Sequence, residues 1–196
     1  MSEASGAEVI LSRARAQERE YDWLGATESY KKALGLVSEK DFLNTAEIYE
    51  QLGCAFYRAA MQAESVDDFR ERMHQAVASY EKAKEAYEGL GKPGKTPRTL
   101  HCDAMIAYVN CWLASEVPEK KRLLDECWRI EKEAFKAYDE VGDQLGSGKA
   151  CIGLADCLDE RLDLELDMQM REKILDEALS FGEKAIQIFS NAGVEH

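Results

Sequence analysis

Apolar and polar residues alternate along this chain with the period of amphipathic α-helices, and one helical pattern recurs at a spacing of about 51 residues. Each copy has an alanine, an aromatic residue four positions later, an apolar residue after three more and then a glycine. The copies occupy residues 83–91, 134–142 and 185–193. These offsets place the first three positions on one helix face, and the glycine falls where a helix end needs a positive φ angle.

The starts of the same three helices are also in step along the sequence. Ser65, Glu116 and Asp167 each stand just before a helical pattern. Serine and aspartate are favoured N-cap residues, and Glu116 is followed by Pro118 in the expected first turn. Because both ends of one helix recur at a constant spacing, the sequence predicts a helical repeat array.

Eight helices are predicted, with no strand. Their expected ranges are about 3–20, 22–37, 41–63, 66–90, 97–115, 118–141, 143–164 and 167–192. Neither glycine nor proline separates the last two, and their boundary rests only on the repeat position of Asp167. A single long helix over this stretch is the alternative.

The segment Tyr21–Leu34 resembles the second-helix signature of the tetratricopeptide repeat family. It contains an Asp-aromatic pair at Asp22 and Trp23, then Ala26, an aromatic residue four later at Tyr30, and Lys-Ala-Leu. The family repeat is about 34 residues, so this chain is similar to a variant with longer helices. The resemblance implies an all-α, right-handed superhelix of about four antiparallel helix pairs, with residues 1–196 as one domain. It also implies a non-enzymatic module that binds a protein or peptide.

Composition narrows the kind of partner and compartment. The chain has 45% hydrophobic and 32% charged residues and a net charge of −13, which argues against nucleic acid and anionic membranes and favours a basic partner. Its six cysteines include no Cys-x-x-Cys pair, which indicates reduced thiols. No apolar run is long enough for membrane insertion and no leader is recognisable, so we expect a cytoplasmic protein.

Residues 89–96 match Gly-x4-Gly-Lys-Thr, the pattern of a phosphate-binding loop. That loop needs a buried strand before it and a helix that begins at the Lys-Thr pair. Here a charged amphipathic helix precedes it and Pro97 follows Thr96 at once. We therefore interpret the segment as a turn between helices, although a nucleotide-binding enzyme is the remaining alternative. No cysteine or histidine spacing suits zinc, so no metal, cofactor or catalytic residue is expected.

In the tetratricopeptide family, the first helix of each pair lines a concave groove. The matching positions here supply aromatic side chains and an arginine, which are frequent anchors in protein interfaces. The groove prediction comprises Glu47, Glu50, Tyr57, Arg58, His101, Tyr108 and Trp112. The alternative is that Tyr108 and Trp112, four residues apart, pack between helices.

A second hypothesis is self-association, or docking into a larger assembly, through the last helix. Phe181, Ile186, Ile188 and Phe189 give that helix more apolar surface than the end of a solenoid usually exposes. This predicts a possible homo-oligomer as the alternative to groove binding.

Overall fold

The computed structural model describes residues 3–38, 40–91 and 95–193, with side chains from Gly6 onward. Within these ranges the chain is all-α, with eight helices and no strand. The helices are α1 (Glu3–Arg19), α2 (Trp23–Leu34), α3 (Phe42–Met61), α4 (Val66–Glu88), α5 (Pro97–Leu113), α6 (Val117–Val141), α7 (Gln144–Leu164) and α8 (Met168–Asn191). The predicted fold class and number of helices are confirmed.

The repeated helix ends have the predicted backbone geometry. Gly91, Gly142 and Gly193 have φ angles of 77°, 73° and 69°, in the left-handed region that glycine adopts without a steric penalty. At the helix starts, the side chains of Ser65 and Asp167 accept hydrogen bonds from the N–H groups of the third residue beyond them. Glu116 makes no such bond, and Pro118 lies in the first turn of α6. The alanines that open the three copies are all buried.

The helices form two compact units, residues 1–93 and 94–196. In the first unit, α1 packs on α2, α2 on α3, and α3 on α4. A β-carbon on Gly53 of α3 would lie 3.0 Å from the ring of Tyr80 on α4, so the absence of a side chain permits this close approach. Buried alanines and aromatic residues form the core, which includes Ala14, Ala26, Tyr30, Ala33, Phe56, Tyr80 and Ala83.

Polar contacts inside the first unit join neighbouring helices. The hydroxyl of Tyr30 on α2 donates to Glu18 Oε1 on α1 at 3.0 Å, and burial raises the pKa of the Glu18 carboxyl. Burial, together with the Glu18 carboxylate, also raises the pKa of the Tyr30 phenol. Each buried polar group thereby gains a hydrogen-bond partner, as the loss of water requires.

In the second unit, α5 packs on α6, α6 on α7 and α7 on α8, while α5 also contacts α7. The carboxylate of Glu131 on α6 is fully buried, and its Oε1 lies 2.8 Å from His101 Nδ1 on α5. A β-carbon on Gly153 of α7 would lie 2.6 Å from the same oxygen. Three helices therefore meet around one buried carboxylate.

The turn between α7 and α8 is made without glycine or proline. α7 ends at Leu164 and α8 begins at Met168, so the two-helix interpretation is confirmed. Asp167 Oδ1 accepts a hydrogen bond from the N–H of Met170 at 2.9 Å. Glu165 Oε1 accepts bonds from the N–H groups of Leu166 and Asp167, at 2.8 Å and 3.0 Å. Side chains thus bind the amides that the turn leaves without helical partners.

All six cysteines are free thiols. Cys157 Sγ donates to the carbonyl oxygen of Leu124 at 3.1 Å. A hydrogen bond to Cys157 and burial raise the pKa of the Cys127 thiol, so the neutral form that favours buried packing is retained. None of the helices in the described part of the chain combines the length and apolar character that a bilayer crossing requires.

Candidate functional site

Two of the four predicted groove residues in the first unit are buried. Glu50 accepts a hydrogen bond from the hydroxyl of Tyr87 at 2.8 Å, so its carboxylate serves a contact between α3 and α4. Tyr57 is also buried, and the exposed guanidinium of Arg58 lies 5.4 Å from the centre of its ring. Glu47 is half-buried. The accessible part of this predicted set is therefore Glu47 and Arg58.

The three groove residues of the second unit are also partly in the interior. His101 is buried against Glu131, Tyr108 is buried, and Trp112 is half-buried. The predicted groove draws its residues from both units, and a continuous binding wall stays a prediction. Burial of Tyr108 agrees with the alternative in which this side chain packs between helices.

The phosphate-loop pattern lies between two helices. Gly89 follows the last residue of α4, and Thr96 is the N-cap of α5, whose first residue is Pro97. Thr96 Oγ1 accepts from the N–H of Thr99, and Thr99 Oγ1 accepts from the N–H of Thr96. Residues 92–94 of the pattern fall outside the described residues. Where a phosphate loop has a strand, the chain has α4.

No group of three or more acidic, histidine or cysteine side chains in the described ranges is arranged to hold a metal ion. A cleft of about 800 Å³ lies between α1, the α2–α3 connection and the start of α3. Its lining includes Glu8, Arg15 and Asp41, together with Leu11 and Ile48. Charges of both signs line the cleft, so they favour no single class of charged ligand.

The strongest candidate is an exposed apolar row on α8. Met168, Leu175, Leu179 and Ile186 are exposed by 74%, 44%, 57% and 59%. Their spacings of seven, four and seven residues place them on one face of the helix. We call these four residues the α8 stripe. An aligned row of this kind is unlike the single exposed apolar residues that soluble proteins usually carry.

Contacts on the other faces of α8 hold the stripe outward. Ile174 and Ala185 are buried. A β-carbon on Gly148 of α7 would lie 2.7 Å from the ring of Phe189, so the two helices approach closely there. Lys184 Nζ lies 4.1 Å from the centre of the Phe135 ring on α6. α7 packs on one side of α8, and the stripe is an apolar row on the part of α8 that this contact leaves exposed.

A cavity of about 410 Å³ opens beside the first half of the stripe. Leu162 at the end of α7 lines it together with Met168 and Leu175 of the stripe, and the remaining lining residues are Gln169, Arg171 and Glu172. Since the cavity is mostly apolar and sits at a helix–helix junction, it can accept an apolar side chain from a partner.

The uncovered surface continues onto α7. Leu145 and Ile152 are exposed by 47% and 41% and are seven residues apart, hence on one face of α7. Gly148, four residues before Ile152, makes the contact with Phe189 of α8. The face of α7 next to this seam and the α8 stripe therefore form two neighbouring apolar rows on antiparallel helices.

Carboxylates border both rows. On α8, Glu172, Asp176 and Glu183 lie next to the stripe in the helical projection and are exposed. On α7, Asp159 and Asp163 continue the face of Ile152 toward the helix C-terminus. Within the described residues none of these five carboxylates forms a salt bridge.

The pKa of a neighbouring group reflects this charge density. Burial, and then the carboxylates of Asp159, Asp163 and Asp156, raise the pKa of Glu160 to about 7. Lys120 opposes the shift without cancelling it. Burial and the neighbouring carboxylates therefore both disfavour the charged form of Glu160.

The sequence hypothesis also named α8, but mostly through side chains that the structure half-buries. Of Phe181, Ile186, Ile188 and Phe189, only Ile186 is exposed, while the two phenylalanines and Ile188 are half-buried. Three stripe residues were missed. The available signal was the spacing from Met168 to Ile186, which marks a second apolar face on α8.

No family model matches the chain, and no curated protein matches it. Among solved structures, the chain is similar to one described as "DHF58 filament", with 17% identity over 96% of this chain and 95% of that one, at a TM-score of 0.40. It is also similar to "DHF119 filament", with 18% identity over 95% and 94% of the two chains, at a TM-score of 0.38. Similarity at these values carries no inference about assembly or function.

Proposed function

We propose that this chain is a non-enzymatic protein-interaction module that docks a partner on the α8 stripe. The observation that carries the proposal is the alignment of four exposed apolar side chains on one face of a helix that α7 covers from another side. Water must order around such a row, and covering it releases free energy in proportion to the apolar area buried.

The packing of α8 supports the same function. Among the described helices, α7 is the one that packs on α8, and it does so from one side. The apolar row on the exposed part of α8 is suited to a helix that docks against it.

We also propose that the module has a tetratricopeptide-like architecture. Asp22 caps α2 through a 3.0 Å hydrogen bond from the N–H of Gly25, and Ala26, Tyr30 and Ala33 of the signature are buried. These are the positions at which the signature residues pack between helices. A right-handed superhelix of long repeats remains our proposal for the arrangement of the pairs.

The function is tested with a stripe variant that keeps helix propensity. In Leu175→Gln/Leu179→Gln, two exposed leucines become glutamines, which favour helices about equally. The control is Val9→Gln/Leu24→Gln, which removes two exposed apolar side chains from the first unit.

We expect the wild type and the control to retain the same partner from an extract of the source cell, and the stripe variant to lose it. Circular dichroism and the melting temperature should be the same for all three proteins. Hydrogen exchange of the captured complex should slow in residues 168–186. Retention of the same partner by the stripe variant would reject the proposed function.

A further inference from the structure

We propose that the partner of the α8 stripe is a basic amphipathic helix, laid in the groove between the stripe and the exposed face of α7. This inference rests on the proposed function and adds the chemistry of the partner. It follows from three features of the surface: its length, its two apolar rows and its uncompensated negative edges.

The length of the surface suits a helix of about five turns. Eighteen residues separate Met168 from Ile186, which at a rise of about 1.5 Å per residue spans about 27 Å. The second row, Leu145 and Ile152, runs alongside on α7. Two antiparallel helices with apolar rows on the same side form a groove that accepts the ridge of a third helix.

The edges of this groove set the charge of the partner. Glu172, Asp176 and Glu183 border the α8 side, and Asp159 and Asp163 continue the α7 row toward the helix C-terminus. None of the five forms a salt bridge with a described residue, so lysine or arginine of a partner would gain attraction without displacing an existing ion pair. Burial raises the pKa of Glu160, and the carboxylates of Asp159, Asp163 and Asp156 raise it further. We therefore expect the partner helix to carry basic residues on both sides of its apolar face, where they would meet these carboxylates.

The same edges argue against a second copy of this chain as occupant. Pairing two α8 stripes about a twofold axis would bring the carboxylate edges of both copies together. The chain as a whole carries a net charge of −13, so two copies also repel each other at longer range. The electrostatic cost selects a partner of opposite charge.

The test uses two synthetic 18-residue peptides with leucine at identical helical positions. One carries lysine and the other glutamate at all remaining positions, and fluorescence anisotropy measures their binding to the full chain. We expect saturable binding of the Leu/Lys peptide, at least about tenfold tighter than the Leu/Glu peptide, and weaker at high salt.

Two pairs of variants separate local from overall charge. Leu175→Gln/Leu179→Gln should weaken Leu/Lys binding at least about tenfold, as loss of central anchors does. Glu172→Gln/Asp176→Asn/Glu183→Gln should weaken it at least about fivefold. The control Glu81→Gln/Glu85→Gln/Glu88→Gln removes three exposed carboxylates from α4 and should change the affinity less than about twofold.

Several results would contradict the proposal that the partner is a basic helix. Equal or tighter binding of the Leu/Glu peptide would do so, as would equal effects of the two triple variants. Failure of both peptides, with a dimer in sedimentation that the stripe variant abolishes, would assign the surface to a second copy. If the peptides fail while a partner is still captured through the stripe, only the partner's chemistry is wrong. If neither peptide binds and no partner is captured through the stripe, the proposed function is wrong as well.

Discussion

Arg171, in the first turn of α8, donates a hydrogen bond from Nη1 to the carbonyl oxygen of Glu165 at 3.0 Å. The same nitrogen donates to the carbonyl oxygen of Leu162. The last carbonyls of a helix have no amide partner within it. Here the guanidinium of the next helix binds them, and this contact fixes α8 against the end of α7.

Arg171→Met should therefore lower the free energy of unfolding by about 1.5–3 kcal/mol, the range for hydrogen bonds to charged groups. Methionine keeps the apolar stem and removes only the donors. Arg122→Met is the control, because Arg122 pairs with Glu119 and Glu126 on an exposed surface, where ion pairs add little to stability. Urea unfolding followed by circular dichroism measures both, and equal losses would contradict the role of Arg171.

The turn between α7 and α8 shows which parts of the fold can be predicted from the sequence. The repeat located the start of α8 at Asp167 because capping chemistry is local and readable. The contact of Arg171 with the carbonyls of Leu162 in α7 and Glu165 in the turn depends on how the helices meet, which no short pattern encodes. The helix ends at residues 91, 142 and 193 could also be predicted from sequence, because a positive φ angle strongly favours glycine.

Two glycine-to-alanine substitutions should change the free energy of unfolding in opposite directions, although neither new methyl group meets a steric obstacle. A β-carbon at Gly142 or Gly182 would find nothing within 4 Å. Gly142 has a φ angle of 73°, so Gly142→Ala should destabilise by about 1–2 kcal/mol. Gly182 lies inside α8, so Gly182→Ala should stabilise by about 0.5–1 kcal/mol. Thermal unfolding reports both, and shifts in the same direction would refute the assignment of helix end and interior.

A third substitution tests the packing around the buried carboxylate. In Gly153→Ala, the new methyl group would stand 2.6 Å from Glu131 Oε1, which is held by His101 and cannot move into solvent. Overpacking of this kind costs about 1–3 kcal/mol. Gly182→Ala is the matched control, because it makes the same change in a helix with open space around it. Unfolding midpoints that rise in both variants would show that α7 and α6 are not in close contact.

The candidate site was harder to read than the fold. Buried polar and aromatic residues such as Glu50, His101 and Tyr108 have the residue types of a binding groove. Sequence does not reveal that Glu50 bonds to Tyr87 and His101 to Glu131, or that Tyr108 packs inside. On α8, apolar residues occur on two faces. Which face is covered is decided by α6 and α7, through contacts such as Phe189 on Gly148, so the stripe emerges only from tertiary packing.

The last prediction concerns pH. Burial and three neighbouring aspartates raise the pKa of Glu160 from its ordinary value of 4.5 to about 7. Between these values the folded chain holds a proton that the unfolded chain has released, so this group's contribution to stability is present below about pH 4.5 and is lost as the pH rises through about 7. Glu160→Gln cannot titrate.

The pH range from 5 to 8 brackets the pKa of about 7, so the melting temperature of Glu160→Gln should fall less across it than that of the wild type. At the alkaline end the variant should be the more stable protein. Glu88→Gln, a change at an exposed carboxylate of α4, is the control and should retain the wild-type decline. Scanning fluorimetry across the buffer series measures all three. A Glu160→Gln profile parallel to the wild type would show that burial and the neighbouring aspartates do not raise the pKa of Glu160 in the folded chain.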